Sequence, residues 1–177
     1  MTDGRQFVFG YGSLVAVQSG RRAVRLHGHR RIWGVAMDNT IDVPGYKTYR
    51  LREDGSRPAV FVAFLDLIAE PGAVTQGTLL AVDDAALRVL DERERNYDRI
   101  DVTTQIEAAP SGTIWTYRGS DDGRERLRIG RRERTAVIDS AYLEAVETTF
   151  TALGLGDELP GDDLPLMSLR RVDLPAP

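Results

Sequence analysis

Two short stretches of this chain carry residue types that can handle an anion and a proton. The first is Gly10-Tyr11-Gly12-Ser13-Leu14, directly after Gln6-Phe7-Val8-Phe9. Its two glycines let the backbone turn tightly and approach a ligand with no Cβ in the way. Successive N–H groups in such a turn can form a nest for a carboxylate, a phosphate or developing oxyanion charge. The second stretch is Leu87-Arg88-Val89-Leu90-Asp91-Glu92-Arg93-Glu94-Arg95. On a helix, at about 100° per residue, Leu87, Leu90 and Glu94 share one face. Arg88, Asp91, Glu92 and Arg95 share the other, with i,i+4 pairs Arg88–Glu92 and Asp91–Arg95. A carboxylate in an apolar stripe has its charged form penalised by desolvation. Its pKa rises, and it becomes usable as a general acid and base near neutral pH. The alternative leaves Glu94 at a frayed helix end, in water or paired with Arg93 or Arg99.

The glycine loop does not fit the common nucleotide and hydrolase patterns. No lysine follows at the position a Walker loop requires, and no third glycine completes a Rossmann fingerprint. Ser13 has Tyr11 and Val15 where a nucleophile elbow has glycines. A serine hydrolase built on Ser13 would need His27 or His29, the two histidines of the chain. His27-Gly28-His29 could suggest a metal, since i,i+2 side chains on a strand point the same way, but no third ligand is apparent from spacing. No metal site is assigned. Tyr46 and Tyr49, beside Pro44-Gly45, are candidates to wall a pocket or to pack on a sheet. Tyr97 could position substrate or hydrogen-bond Glu94; a half-buried strand tyrosine is the other reading.

These residues must be positioned by a chain of 177 residues, the size of one domain. Apolar residues make up 42% and charged residues 28%, a soluble globular balance that excludes wholesale disorder. No apolar run approaches the roughly 20 residues of a membrane span. The absence of cysteine excludes disulfides, thiolate metal sites and cysteine nucleophiles. Lys47 is the one lysine and is given no nucleophilic role. A net charge of −4 argues against sequence-independent nucleic-acid binding. The opening Met-Thr-Asp-Gly-Arg-Gln has no secretory pattern, so the expected address is cytoplasmic.

Residues 6–10, 24–38, 60–67 and 77–82 read as strands, with Pro71-Gly72 as a turn and 39–58 as turns and loop. Asp83 or Asp84 caps a helix to about Arg93. Residues 97–107 and 113–118 read as two further strands. Residues 119–134, with seven arginines from 118 to 134 and little apolar content, read as a long exposed connection. Ser140 caps a helix carrying the stripe Tyr142, Val146, Phe150 and Leu153, ended by Gly154 or Gly156. Residues 160–177 read as an irregular C-terminal tail. The whole, 1–177, reads as a single α+β domain.

Taken in order, these motifs resemble the γ-glutamylcyclotransferase-like family. The matching residues are Tyr11-Gly12-Ser13-Leu14 after the first strand, then Leu90-Asp91-Glu92-Arg93-Glu94, then Tyr97 with Arg99 and Val102. Gly77-Thr78-Leu79 resembles the family's Gly-x-Leu strand, and Ser140-Ala141-Tyr142 its C-terminal helix start. The resemblance implies a small mixed β-barrel-like sheet with flanking helices and a pocket at one end. It implies conversion of a γ-glutamyl amine or peptide, such as glutathione, to 5-oxoproline with release of the amine. Glu94 would be the acid/base, and Tyr11, Gly12, Ser13, Leu14 and Tyr97 would bind substrate. No cofactor or metal is implied, and the partner is a small γ-glutamyl molecule. Leu14 stands where many members have asparagine before leucine, and Arg95 where some have glycine. A non-catalytic carboxylate-binding domain on the same fold is the alternative.

Overall fold

The computed structural model describes residues 4–15, 23–155 and 158–176. Stretches carrying β-branched and aromatic residues form β1 (Gln6–Gly10), β2 (Ala23–Asp38), β3 (Lys47–Leu51) and β4 (Phe61–Val82). Helix α1 (Asp84–Arg93) follows, then β5 (Tyr97–Asp101), β6 (Thr113–Gly119), α2 (Asp121–Glu133), β7 (Ala136–Asp139) and α3 (Ser140–Ala152). Strands β8 (Leu166–Met167) and β9 (Leu169–Asp173) come last. The fold is α+β. A large mixed sheet runs β5-β6-β1-β4-β7-β8, with β2 also on β4, while β3 and β9 form a separate pair. β1 is antiparallel to β4 and parallel to β6. The Leu26–Ile106 bridge and the Glu107 N–H to the Arg25 carbonyl bring the edge of β2 to the chain after β5, curling the sheet toward a barrel. Phe9, Leu26, Leu65, Leu67, Ile114 and Phe150 fill its interior.

Several elements differ from the sequence expectation. The expected strands 60–67 and 77–82 are one 22-residue strand. Pro71-Gly72 does not reverse it. The pairing jumps from Val74 opposite His27 to Ala69 opposite His29, so the extra residues bulge outward. The Gly72 φ of +86° and the missing proline N–H suit that bulge. The expected strand 97–107 stops at Asp101 and gives way to a 3-10 turn at Thr103–Gln105. The expected loop 39–58 contains β3, and the expected irregular 160–177 contains β8 and β9, which pair with β7 and β3 respectively.

The expected exposed connection 119–134 is largely helix α2. Ser120 accepts a hydrogen bond from the Gly123 N–H as its N-cap, and Asp121 and Asp122 occupy the first turn. Arg131 and Arg132 occupy the last turn, so both ends complement the helix dipole. Its buried face is Gly123, Leu127 and Gly130. A Cβ on Gly130 would lie 2.9 Å from Phe61 Cβ, so small residues there permit close packing instead of a wide apolar stripe. The N-cap of α3 is Asp139, one residue before Ser140. Gly154, at φ +70°, follows its end, and Gly156 lies outside the described residues. No helix among the described residues is long and apolar enough to cross a membrane.

Candidate active site

The loop after β1 is fixed from both sides. A Cβ on Gly10 would sit 2.8 Å from the carbonyl carbon and oxygen of Leu14, so glycine is required for the chain to fold back this closely. The Val15 N–H donates to the Gly12 carbonyl at 2.9 Å, closing the turn. The Tyr11 hydroxyl donates to the Tyr117 carbonyl at 2.6 Å. Burial, then the nearby Asp66 and Glu94 carboxylates, push that phenol well above its ordinary pKa, so it stays a donor. Beneath the loop, the buried Arg31 donates from Nε to the Tyr11 carbonyl at 2.8 Å and from a terminal nitrogen to the Glu158 carbonyl at 2.8 Å. Its guanidinium also hydrogen-bonds the Gln76 carbonyl and lies 4.5 Å from the Phe150 ring centre.

Glu94 is positioned by α1. Leu87 and Leu90 are buried against Val8 and Tyr117, so the apolar stripe docks on the sheet. Glu94 is the C-cap of the helix, and its N–H reaches the Leu90 carbonyl at 2.8 Å. Its side chain is 13% exposed, which excludes the frayed, solvated alternative. Arg93 approaches with Nε 3.3 Å from Glu94 Oε1, whereas Arg99 pairs with Asp91 at 3.0 Å. Burial raises the Glu94 pKa; Arg93, Lys47 and Arg171 oppose this, and burial prevails. Asp91 does not pair with Arg95. It accepts from the Tyr117 hydroxyl at 2.8 Å and holds Arg99.

Glu94 lies between two adjoining spaces. A recess of about 30 Å³ is lined by the loop residues Tyr11, Gly12, Ser13 and Leu14 together with Glu94 and Tyr97. The structure thus brings all six sequence-assigned site residues to one place. A cleft of about 560 Å³ opens on the other side of Glu94, and Ser13, Tyr97 and Tyr142 border both spaces. The Tyr97 hydroxyl donates to the Leu65 carbonyl at 2.7 Å, so the ring, and not a bond to Glu94, is its contribution to the site. Tyr46 lines the cleft, while Tyr49 is buried in the core.

Sequence reading missed three of the cleft's residues. Tyr142, read as core stripe, borders both spaces. Lys47 on β3 and Arg171 on β9 stand diagonally across the two-stranded pairing that no local pattern announced, with Lys47 opposite Asp173 and Arg171 opposite Tyr49. Neither space has a histidine in its lining, which removes the base that a Ser13 hydrolase requires. His27 and His29 do not point the same way. The Gly28 bulge, at φ +75°, leaves His27 exposed 3.4 Å from Glu107 and buries His29. No cluster of three metal-ligating side chains occurs among the described residues.

Residues 8–134 match the family described as gamma-glutamyl cyclotransferase, AIG2-like. The chain belongs to this family. A solved gamma-glutamyl cyclotransferase shares the fold at 13% identity, with a TM-score of 0.53 over 89% of each chain. A yeast gamma-glutamyl cyclotransferase specific to glutathione is 13% identical, with a TM-score of 0.43 over 88% of this chain and 96% of that one. An uncharacterized protein from Homo sapiens is 15% identical, with a TM-score of 0.42 over 91% of each. No curated protein matches the sequence. The two positions at which the sequence departs from the resemblance both border these spaces. Leu14 lines the recess and Arg95 lines the cleft.

Proposed function

We propose that this protein cyclises the γ-glutamyl group of a γ-glutamyl amine or peptide to 5-oxoproline and releases the amine. The α-amine of the substrate attacks its own γ-carbonyl. A new N–C bond closes the five-membered ring, and the C–N bond to the leaving amine breaks. Glu94 takes a proton from the α-ammonium and returns one to the departing amine. The nucleophile is tethered, so the protein has to hold a folded conformer and move a proton. The loop's peptide groups are suited to the carbonyl oxygen as negative charge develops on it.

The observation that carries this reading is the shared recess: Glu94, a largely buried carboxylate of raised pKa, lines the same small space as Gly12, Ser13 and Leu14. The test is a mass-spectrometric assay for 5-oxoproline, using wild type and Glu94→Gln on a panel of γ-glutamyl amines and peptides. Product from wild type, with a loss of about 10²-fold or more in the variant, is expected. Equal product from both removes Glu94 from the mechanism. No product from either favours a non-catalytic carboxylate-binding domain.

A further inference from the structure

Lys47 stands opposite Asp173 in the β3–β9 pairing, but the Asp173 carboxylate is held by Arg171. The Lys47 Nζ lies 4.2 Å from the ring centre of Phe64, 5.5 Å from that of Tyr46 and 5.8 Å from that of Tyr49. Among the described residues its ammonium makes no ion pair and no hydrogen bond. Aromatic faces attract an ammonium, but they leave its three N–H donors without a full acceptor. Lys47 is half-buried and lines the cleft, so an anion bound there can take up those donors. Burial, with Arg171 beside it, holds the amine down from 10.5 to about 8, with Arg93 acting the same way and Glu94 and Asp173 acting against it.

The position of Lys47 identifies what the partner is. It lines the large cleft and is absent from the recess lining, and Glu94, Ser13, Tyr97 and Tyr142 border both spaces. On the cyclotransferase reading the γ-carbonyl oxygen enters the recess beside the loop, which at about 30 Å³ holds little more than that. The leaving amine therefore extends past Glu94 into the cleft. There it meets Lys47 and three arginines, Arg93, Arg95 and Arg171, against the carboxylates of Glu92 and Glu94. Arg93 is already engaged with Glu94, and Arg171 with Asp173 at 2.6 Å.

We propose that Lys47 is a specificity-determining residue that receives an anionic group on the leaving amine, so that the preferred substrates are γ-glutamyl amino acids or peptides, and not γ-glutamyl polyamines or other cationic amines. This rests on the cyclotransferase reading for the placement of the substrate. A carboxylate next to the departing nitrogen supplies the missing acceptor for Lys47. A cationic amine meets repulsion from the same residue.

The single lysine makes a direct test practical, because ¹³C-labelled lysine gives one Cε resonance. The resonance is titrated in Glu94→Gln with γ-glutamyl-alanine or with γ-glutamyl-ethylamine, which differ by one carboxylate on the leaving amine. The expected result is a rise of one pH unit or more in the Lys47 midpoint with the alanine compound and little change with the ethylamine compound. In parallel, Lys47→Met is expected to lower kcat/KM for γ-glutamyl-alanine about tenfold more than for γ-glutamyl-ethylamine. Equal midpoint shifts with both ligands, or no shift with either, overturn the proposal. If 5-oxoproline forms but Lys47→Met affects both substrates equally, the proposal fails and the cyclotransferase reading stands. If no substrate turns over yet the midpoint rises with γ-glutamyl-alanine alone, the anion subsite stands and the catalytic reading fails.

Discussion

Tyr11 and Tyr117 tie the two halves of the site together. The Tyr11 hydroxyl donates to the Tyr117 carbonyl at 2.6 Å, and the Tyr117 hydroxyl donates to Asp91 at 2.8 Å. The first bond holds the glycine loop to β6. The second holds β6 to α1, three residues before Glu94. Tyr11→Phe keeps the packing and removes the first bond. It is expected to lower stability by about 1–2 kcal/mol in denaturant titration. 5-Oxoproline formation should fall by less than in Glu94→Gln, because the variant loosens the loop and leaves the proton-transfer group in place.

Glu94→Gln should cost activity and gain stability. Burial raises the folded-state pKa of Glu94 above its ordinary 4.5, so ionisation is penalised in the folded protein. Above the folded pKa the wild type carries that penalty and the variant does not. As pH falls through the folded pKa to the ordinary value, both forms become neutral and the difference vanishes. Thermal unfolding of both proteins from pH 4 to 8 checks this. A variant no more stable than wild type at pH 8 would show that Arg93, Lys47 and Arg171 outweigh burial.

Lys47→Met carries the opposite pH signature. The folded-state pKa of Lys47 is lowered to about 8, so the unfolded chain binds the extra proton between that value and the ordinary 10.5. Wild-type stability relative to the variant should therefore climb as pH rises through this interval. Below pH 8 the variant should be the more stable, by about 1 kcal/mol once the lost cation–π attraction is set against relief of desolvation. Urea midpoints at pH 7 and pH 10 give the comparison.

Asp66 is fully buried, and its carboxylate accepts from the Leu67 and Gly119 N–H groups, both at 2.6 Å. Arg124 of α2 completes the set with Nε at 2.9 Å. Asp66→Ala strands two peptide donors and leaves Arg124 without its buried partner. A loss of about 3–5 kcal/mol is expected from equilibrium unfolding. A loss below 1 kcal/mol would mean that water replaces the carboxylate.

Local pattern picked out the residues that meet at the recess better than the walls that enclose them. The glycines around Tyr11 and the placement of Glu94 after Leu87 and Leu90 are short-range signals, and the folded chain keeps both. Helix α2 was hidden because its buried face is two glycines and Leu127, which leaves no apolar stripe to detect. Its Ser120 cap and end charges were the readable signal. Lys47 and Arg171 had no signal at all. They meet through a strand pairing between residues more than a hundred positions apart, and no periodicity within either strand encodes a partner that distant.

That pairing also sets the order in which the cleft is completed during synthesis. β3 pairs with β9 and with no other strand among the described residues. β3 leaves the ribosome early, and β9 follows more than a hundred residues later. At about 5–20 residues per second, the wall bearing Lys47 waits several seconds or longer for its other half. A nascent chain halted before residue 169 already carries Glu94 and the glycine loop, but it lacks the strand that holds Lys47 against them. Glu94 and the glycine loop are thus translated well before the strand pair that completes the cleft beside them.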